Sequence, residues 1–461
     1  MSKALLRFSP AHLLRKSFSH GVHPEENKHY TAHRPIERLA FPPQLHMLLS
    51  QHAGRPAVPI VKPGQEVVRG QPIARADGFV SSTLHAPATG VVKRIDLVPT
   101  PKGPRKEAII IDVYPGDSQE ILYGAPRDID SMTAQEVIQA VQDAGLVGLG
   151  GAAFPTHVKL SPPPEHTVDT VLINGCECEP YLTTDHRIML EQAAELVRGT
   201  QILMKTVGAE HGVIATEDNK LDAAEAVRKA LPADGSITVE VVKTKYPQGA
   251  EKMLAKALFN REIPSGSYPS SVGLSVFNVA TTTQLGELLP MQRGVIERVV
   301  TITGPGIDRP GNYLVPIGTP LRFILEKLGY TGSSRYLITG GPMLGDTVSS
   351  LDVPITKGCG GFLVLRPEDF AEQQLSESFP CINCGKCVDA CPMFLNPSQL
   401  GKLASKRRYL EMDKYHLFDC FECGCCAYVC PAGIPLVQYF RVSKVMYREE
   451  KAAAENGASN G

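Results

Sequence analysis

Two short runs, CINCGKCVDACP at residues 381–392 and CFECGCCAYVCP at residues 420–431, carry the decisive pattern of this 461-residue chain. The first places Cys381, Cys384, Cys387 and Cys391-Pro392 in a C-x2-C-x2-C-x3-C-P run. The second repeats it with Cys420, Cys423, Cys426 and Cys430-Pro431, each cysteine 39 residues after its counterpart.

Thiolates at this spacing suit iron–sulfur clusters. The short C-x2-C-x2-C turn presents three thiolates to one inorganic cube and leaves the fourth position to a distant residue. In two-cluster ferredoxins that fourth ligand crosses over. The pattern therefore predicts a cluster A on Cys381, Cys384, Cys387 and Cys430, and a cluster B on Cys420, Cys423, Cys426 and Cys391. Zinc is the competing occupant, because thiolates bind it tetrahedrally. Two complete runs, each closed by a proline, argue for clusters. Cys425 is surplus and reads as a neighbour of cluster B.

Outward from the cysteines, composition narrows the class. The net charge of −1 gives no electrostatic footprint for nucleic acid. Most of the twelve cysteines are committed to ligand spacing, which favours a reducing compartment. The opening MSKALLRFSP lacks the apolar core of a signal peptide, and no run of 18 apolar residues offers a membrane span.

The expected architecture is α/β and multidomain. Residues 1–45, broken by Pro24, Pro35, Pro42 and Pro43, read as an extended segment. Residues 46–125 hold short β-rich runs punctuated by Pro63-Gly64, Gly70, Gly78 and Gly90. The phrases KPGQEVVRGQPIA and HAPATGVVKRI there resemble the two halves of a biotinyl or lipoyl domain. No lysine lies between Lys62 and Lys93, so the module has no swinging arm and reads as scaffold or docking surface. In 126–290, Thr133 and Glu136 form a capping box for a helix ending near Gly145. Strands are expected at 168–174, 201–207 and 237–243, with helices at 184–197 and 219–231. Residues 291–366 read as a β-rich unit around one helix. Residues 367–461 form the cluster domain, entered through a polar linker at 366–380 and closed by an amphipathic helix after Pro435.

Two phrases are candidates for holding a ligand. The loop GLVGLGGAAFPTHVK, 145–159, gathers Gly145, Gly148, Gly150 and Gly151, whose backbone can approach a phosphate or a flat ring, with Lys159 to supply charge. An ordinary turn is the alternative. The strand ending at Asn174-Gly175 runs into CECEP, with Glu177 and Glu179 one residue apart; either could take hydrogen bonds from a ribose, or both could be solvated. Cys176 and Cys178 read as buried thiols. KYPQGAEKM, 245–253, is a loop-to-helix transition whose helix N-terminus could face an anion.

Together these phrases resemble a known family. GLVGLGGAAFPTHVK and INGCECEP look like the flavin and NADH region of the 51-kDa subunit of respiratory complex I, and ITGPGIDRPGNYLVPIGTPL looks like its β-grasp (SLBB) domain. The full order, with GVHPEENK, CECEPYLTTDHR, YPQGAEK and the eight-cysteine domain, is similar to the RnfC family, a component of the Rnf ion-translocating ferredoxin:NAD oxidoreductase. The resemblance implies noncovalent FMN, a site for NAD(H) and two [4Fe–4S] clusters. It would assign Gly148, Gly150, Gly151 and Lys159 to FMN, with Asn174 close by, and Glu177 and Glu179 to the nucleotide. Tyr246, Gly249, Glu251, Lys252 and Asn278 are carried over with them. It further implies a translocase component at the cytoplasmic side of the cell membrane, held peripherally by partner proteins and reaching ferredoxin only through one of them. Val147 and Leu149 stand where complex I has arginines, and Cys176 where it has an aspartate. A soluble cobalamin reductase with the same modules, and a flavin-free two-cluster electron carrier, are the alternative readings.

Overall fold

The structure is a computed structural model that describes residues 16–458, apart from 102, 117–118, 331–336 and 367–377. Most of the expected 366–380 linker thus lies outside the described residues.

The first β module is built from two small sheets. Gln44–Leu48, Lys106–Val113, Gly90–Val98 and Glu66–Val67 form one antiparallel layer, and Val58–Pro59, Pro72–Arg75 and Leu84–His85 form the other. Alternate side chains point inward, as the period of a strand requires. Leu45, Ile73 and Ile109 share one apolar core with Val137, Ile173 and Leu285 of the next unit, so the module is welded to its neighbour.

That neighbour holds a four-stranded sheet, all parallel, in the order Ile237–Val242, His211–Glu217, Thr170–Gly175, Leu274–Asn278. The helix Ala134–Asp143 begins with the expected capping box, Thr133 bonded to Glu136 in both directions. The expected strand at 201–207 is instead the end of the helix Ala193–Val207, and the strand follows at His211–Glu217. The apolar run QILMKTV fits either element by hydropathy alone. Burial of Leu196, Val197, Thr200, Leu203 and Met204, at helical spacing, decides it. The expected helix 184–197 is divided at Gln192, whose non-helical backbone (φ −131°) separates Thr184–Glu191 from Ala193–Val207.

The β-rich unit is a six-stranded sheet packed on the helix Leu321–Leu328, around Val300, Ile324 and Phe362. Its edge corrects the expectation for residues 1–45. Ile36–Arg38 pairs in parallel with Gly311–Pro316, so the N-terminal segment contributes a strand. The cluster domain has its own core around Leu400, Met412 and Phe440, the last on the closing helix Leu436–Ala458. Among the described residues, no helix is long and apolar enough to cross a membrane.

Candidate functional site

The parallel sheet reverses its winding between Thr170–Gly175 and Leu274–Asn278. Its chain order, third-second-first-fourth, is that of a doubly wound half, and ligands of such sheets lie beyond the carboxyl ends at this reversal. Asn174 and Asn278 sit side by side there, as partners in the strand register. Asn278 also caps the next helix, its Oδ1 accepting from Thr281 N at 3.3 Å, while its Nδ2 donates to Asp185 Oδ2 at 2.7 Å. The glycine loop arrives over this pair. A Cβ on Gly150 would stand 3.1 Å from Asn278 Nδ2, whereas one on Gly151, whose φ is +108°, would meet only open space. Gly148 is tied to Phe154 by a backbone hydrogen bond, and to Ala153 by a second, which fold the loop back on itself.

Three residues absent from the expected set hold that loop. Arg298, 1 % exposed, donates through Nη2 to Leu149 O at 3.2 Å and through Nη1 to Lys357 O. Lys357, fully buried, donates to Gly145 O at 2.6 Å and to Thr83 O at 2.7 Å. His157 donates to Phe79 O at 2.6 Å, with the two rings edge to face. Residues 79–83 of the first β module are thus tied to the glycine loop. Sequence offered no signal for these contacts, because each joins segments far apart in the chain.

Burial without a carboxylate partner lowers the Lys357 ammonium to about 7. Between that value and its ordinary 10.5, the unfolded chain holds a proton the native state has released, so stability rises with pH across this window and is flat below it. His52 and His85, facing Lys357, are held at about 4 and about 3 by burial and do not titrate there. Thermal unfolding followed by circular dichroism should show a midpoint that climbs above pH 7 in the wild type more steeply than in Lys357→Met. Equal slopes would refute this.

The other expected residues are placed as follows. Glu177 accepts from the backbone N–H of Asp185 (3.1 Å) and His186 (3.3 Å), covering the start of the helix Thr184–Glu191. Burial and the Glu177 charge push the Asp185 carboxyl up to about 7, so an acid that titrates near neutrality stands beside Asn278, where the sequence pattern presents only a helix opener. Glu179 turns away. Its Oε1 accepts from Met343 N at 2.7 Å and Leu344 N at 3.1 Å in the β-grasp unit, and burial raises its pKa. Lys159 donates to Glu251 Oε1 at 2.5 Å and to Val276 O at 3.1 Å. Lys252 is partly exposed on the helix Glu251–Phe259. Asn174 Nδ2 donates to Gly249 O at 2.7 Å, and Gly249 N donates to Cys178 Sγ at 3.3 Å. Gly249 is required by this approach, since a Cβ would lie 2.3 Å from Cys176 O. The structure therefore brings Gly150, Asn174, Asn278 and Asp185 together at the carboxyl end of the sheet, with Gly151 next to them in the loop. It sends Glu179 and Tyr246 to other contacts.

The eight run cysteines line two cavities. Cys381, Cys384, Cys387 and Cys430 share one of about 330 Å³. Cys391, Cys420, Cys423 and Cys426 share the other with Cys425. Cys381 and Cys384 are exposed, and Cys391 and Cys426 are buried. Among the described residues, no three His, Cys, Asp or Glu side chains are grouped as for a single metal ion. Tyr246, a buried residue, donates its hydroxyl to Cys423 O at 2.6 Å, and Cys423 lines the second cavity. Tyr246 packs with Val22, Ala390 and Cys425, and against Cys178.

Comparison with known proteins agrees in order along the chain. An RnfC barrel sandwich hybrid domain matches residues 16–114, a Nuo51 FMN-binding domain 141–287, an SLBB domain 299–347 and a 4Fe-4S dicluster domain 380–434. The chain is 44 % identical over 444 residues to the C component of the proton-translocating ferredoxin:NAD(+) oxidoreductase complex of Clostridium ljungdahlii, covering 95 % of each. It is 40 % identical to the Na(+)-translocating counterpart of Acetobacterium woodii, covering 93 % of this chain and 96 % of that one. It is 38 % identical to the C component of the ion-translocating oxidoreductase complex of Haemophilus influenzae, covering 96 % of this chain and 54 % of that longer protein.

Proposed function

The chain belongs to the RnfC family, the C components of Rnf-type ion-translocating ferredoxin:NAD+ oxidoreductase complexes, and from that premise we propose that it moves electrons between NAD(H), FMN and two [4Fe–4S] clusters. FMN, when bound, exchanges a hydride with the nicotinamide and single electrons with a cluster, which is the conversion these modules need between them.

The residues fit both groups. Gly150 and Gly151 leave a side-chain-free loop tip over Asn174 and Asn278, suited to a flat ring, with Gly148 folding the loop and Lys159 at its end. Glu177 is proposed to border the nucleotide through the helix start it orders, with Glu251, Lys252 and Gly249 along its edge, whereas Glu179 is spent on Met343 and Leu344. The thiol-lined cavities suit clusters, cluster A on Cys381, Cys384, Cys387 and Cys430 and cluster B on Cys420, Cys423, Cys426 and Cys391. The observation that carries the reading is the chain of contacts from Asn174 through Gly249, Cys178 and Tyr246 to Cys423, which supports cluster B lying nearer the flavin, while the exposed Cys381 and Cys384 support cluster A lying toward solvent. It supports electrons leaving through cluster A to a membrane partner, with the chain peripheral at the cytoplasmic face and ferredoxin met only by another protein of the complex.

We place the working domain limits at 46–125, 126–290, 291–366 and 367–461, after an N-terminal segment 1–45 that lends one strand to the β-grasp sheet. Anaerobic purification of the full chain with analysis of flavin, iron and acid-labile sulfide tests the cofactor content. Stoichiometric FMN, with iron and sulfide sufficient for two [4Fe–4S] clusters, is expected. Zinc in place of iron, or absence of flavin after reconstitution, would refute it.

A further inference from the structure

The wall of the cavity shared by Cys391, Cys420, Cys423 and Cys426 carries charges that the electron path does not itself require. Lys444, whose side chain is 14 % exposed, donates to Cys420 O at 2.6 Å and to Glu422 Oε1 at 2.7 Å. Glu422 stands between two of the thiols in sequence and lines the cavity. Its other oxygen accepts from Arg441 Nε at 3.1 Å, and Arg441 Nη1 in turn donates to Asp346 Oδ1 at 2.9 Å. Arg441 and Lys444 lie one turn apart on the helix Leu436–Ala458, on the side where Leu436, Val437 and Phe440 pack into the cluster domain.

We propose that Lys444 and Glu422 set the reduction potential of the cluster held by Cys420, Cys423, Cys426 and Cys391, in opposite senses. The proposal rests on the reading that these four thiols hold a [4Fe–4S] cluster. Reduction adds one electron and breaks no bond, so the site gains one negative charge with no proton to offset it. Burial disfavours that charge, an ammonium at the ligand backbone favours it, and a carboxylate on the cavity wall opposes it. Lys444→Met removes the cation and leaves Glu422 held by Arg441 alone. Glu422→Gln removes the anion and keeps the cation. A purely structural pair would respond alike to both changes, whereas a potential-setting pair responds with opposite signs.

The test is a reductive titration of the full reconstituted chain with dithionite and mediators, followed by EPR. Lys444→Met should lower the reduction equilibrium of one cluster about tenfold, or ~59 mV for one electron. Glu422→Gln should raise it by a comparable factor, Lys444→Arg should stay near wild type, and the other cluster should not move. Shifts of the same sign, no shift, or loss of the cluster in both Lys444→Met and Glu422→Gln would overturn the proposal. A wild type with only one cluster signal at full iron and sulfide loading would overturn instead the reading beneath it, and the proposal with it.

Discussion

In a Cys391→Ala variant, the signal of the cluster expected on the second cysteine run should disappear and that of the first run should remain, although Cys391 closes the first run in sequence. The reason is geometric. Cys391 lines the cavity of Cys420, Cys423 and Cys426, and Cys430 lines that of Cys381, Cys384 and Cys387. A cluster short of one thiolate is labile, so iron should fall to about half in each single variant, with the reciprocal cluster lost in Cys430→Ala. EPR separates the two, because the exposed thiols Cys381 and Cys384 give one cluster a wetter environment than the buried Cys391 and Cys426 give the other. Loss of the first-run cluster in Cys391→Ala would contradict the crossover.

Arg298→Leu should weaken flavin binding by about a hundredfold. The guanidinium satisfies three buried carbonyls, those of Leu149, Lys357 and Val299. A buried acceptor left unpaired costs roughly 1–3 kcal/mol. Leucine fills much of the volume, and replacing a buried charge by an apolar group can itself be neutral, so the loss comes from the stranded carbonyls. The two at the loop, those of Leu149 and Lys357, together cost ~2–6 kcal/mol, and every 1.4 kcal/mol is about tenfold in affinity, so a hundredfold loss takes the lower part of that range. The penalty falls on the glycine loop, because Leu149 lies between Gly148 and Gly150 and Lys357 holds Gly145. Flavin fluorescence titration of the apo-protein measures the affinity, and hydrogen exchange over residues 145–155 reports the loosening. Unchanged flavin affinity with exchange also unchanged would refute the positioning role.

What could be read from sequence depends on how local each constraint is. Ligand spacing in the cysteine runs and the Thr133–Glu136 capping box act within a few residues, and both are directly legible. The segment 201–207 misleads because an apolar run without turn residues fits a buried helix as well as a strand. The strand Ile36–Arg38 has no local signature, since its partner Gly311–Pro316 lies far along the chain. Arg298 and Lys357 look like surface residues by type. Only the meeting of the barrel module, the glycine loop and the β-grasp sheet supplies the carbonyls that let them be buried. The same holds for Glu177 and Glu179. One residue apart, they face a helix start and a turn of a different unit, and nothing in CECEP distinguishes them.

The central claim is that hydride entry and single-electron exit are joined in this one chain by bound flavin, with cluster B next to it. The direct measurement is anaerobic rapid mixing of the reconstituted protein with NADH, with flavin absorbance followed optically and the clusters by freeze-quench EPR. Both clusters should be reduced only when flavin is bound. Cluster A should receive electrons from NADH only through cluster B, so that Cys391→Ala leaves flavin reduction intact and cluster A oxidised. Cluster reduction by NADH in flavin-free protein, or full reduction of cluster A in Cys391→Ala at the wild-type rate, would contradict it.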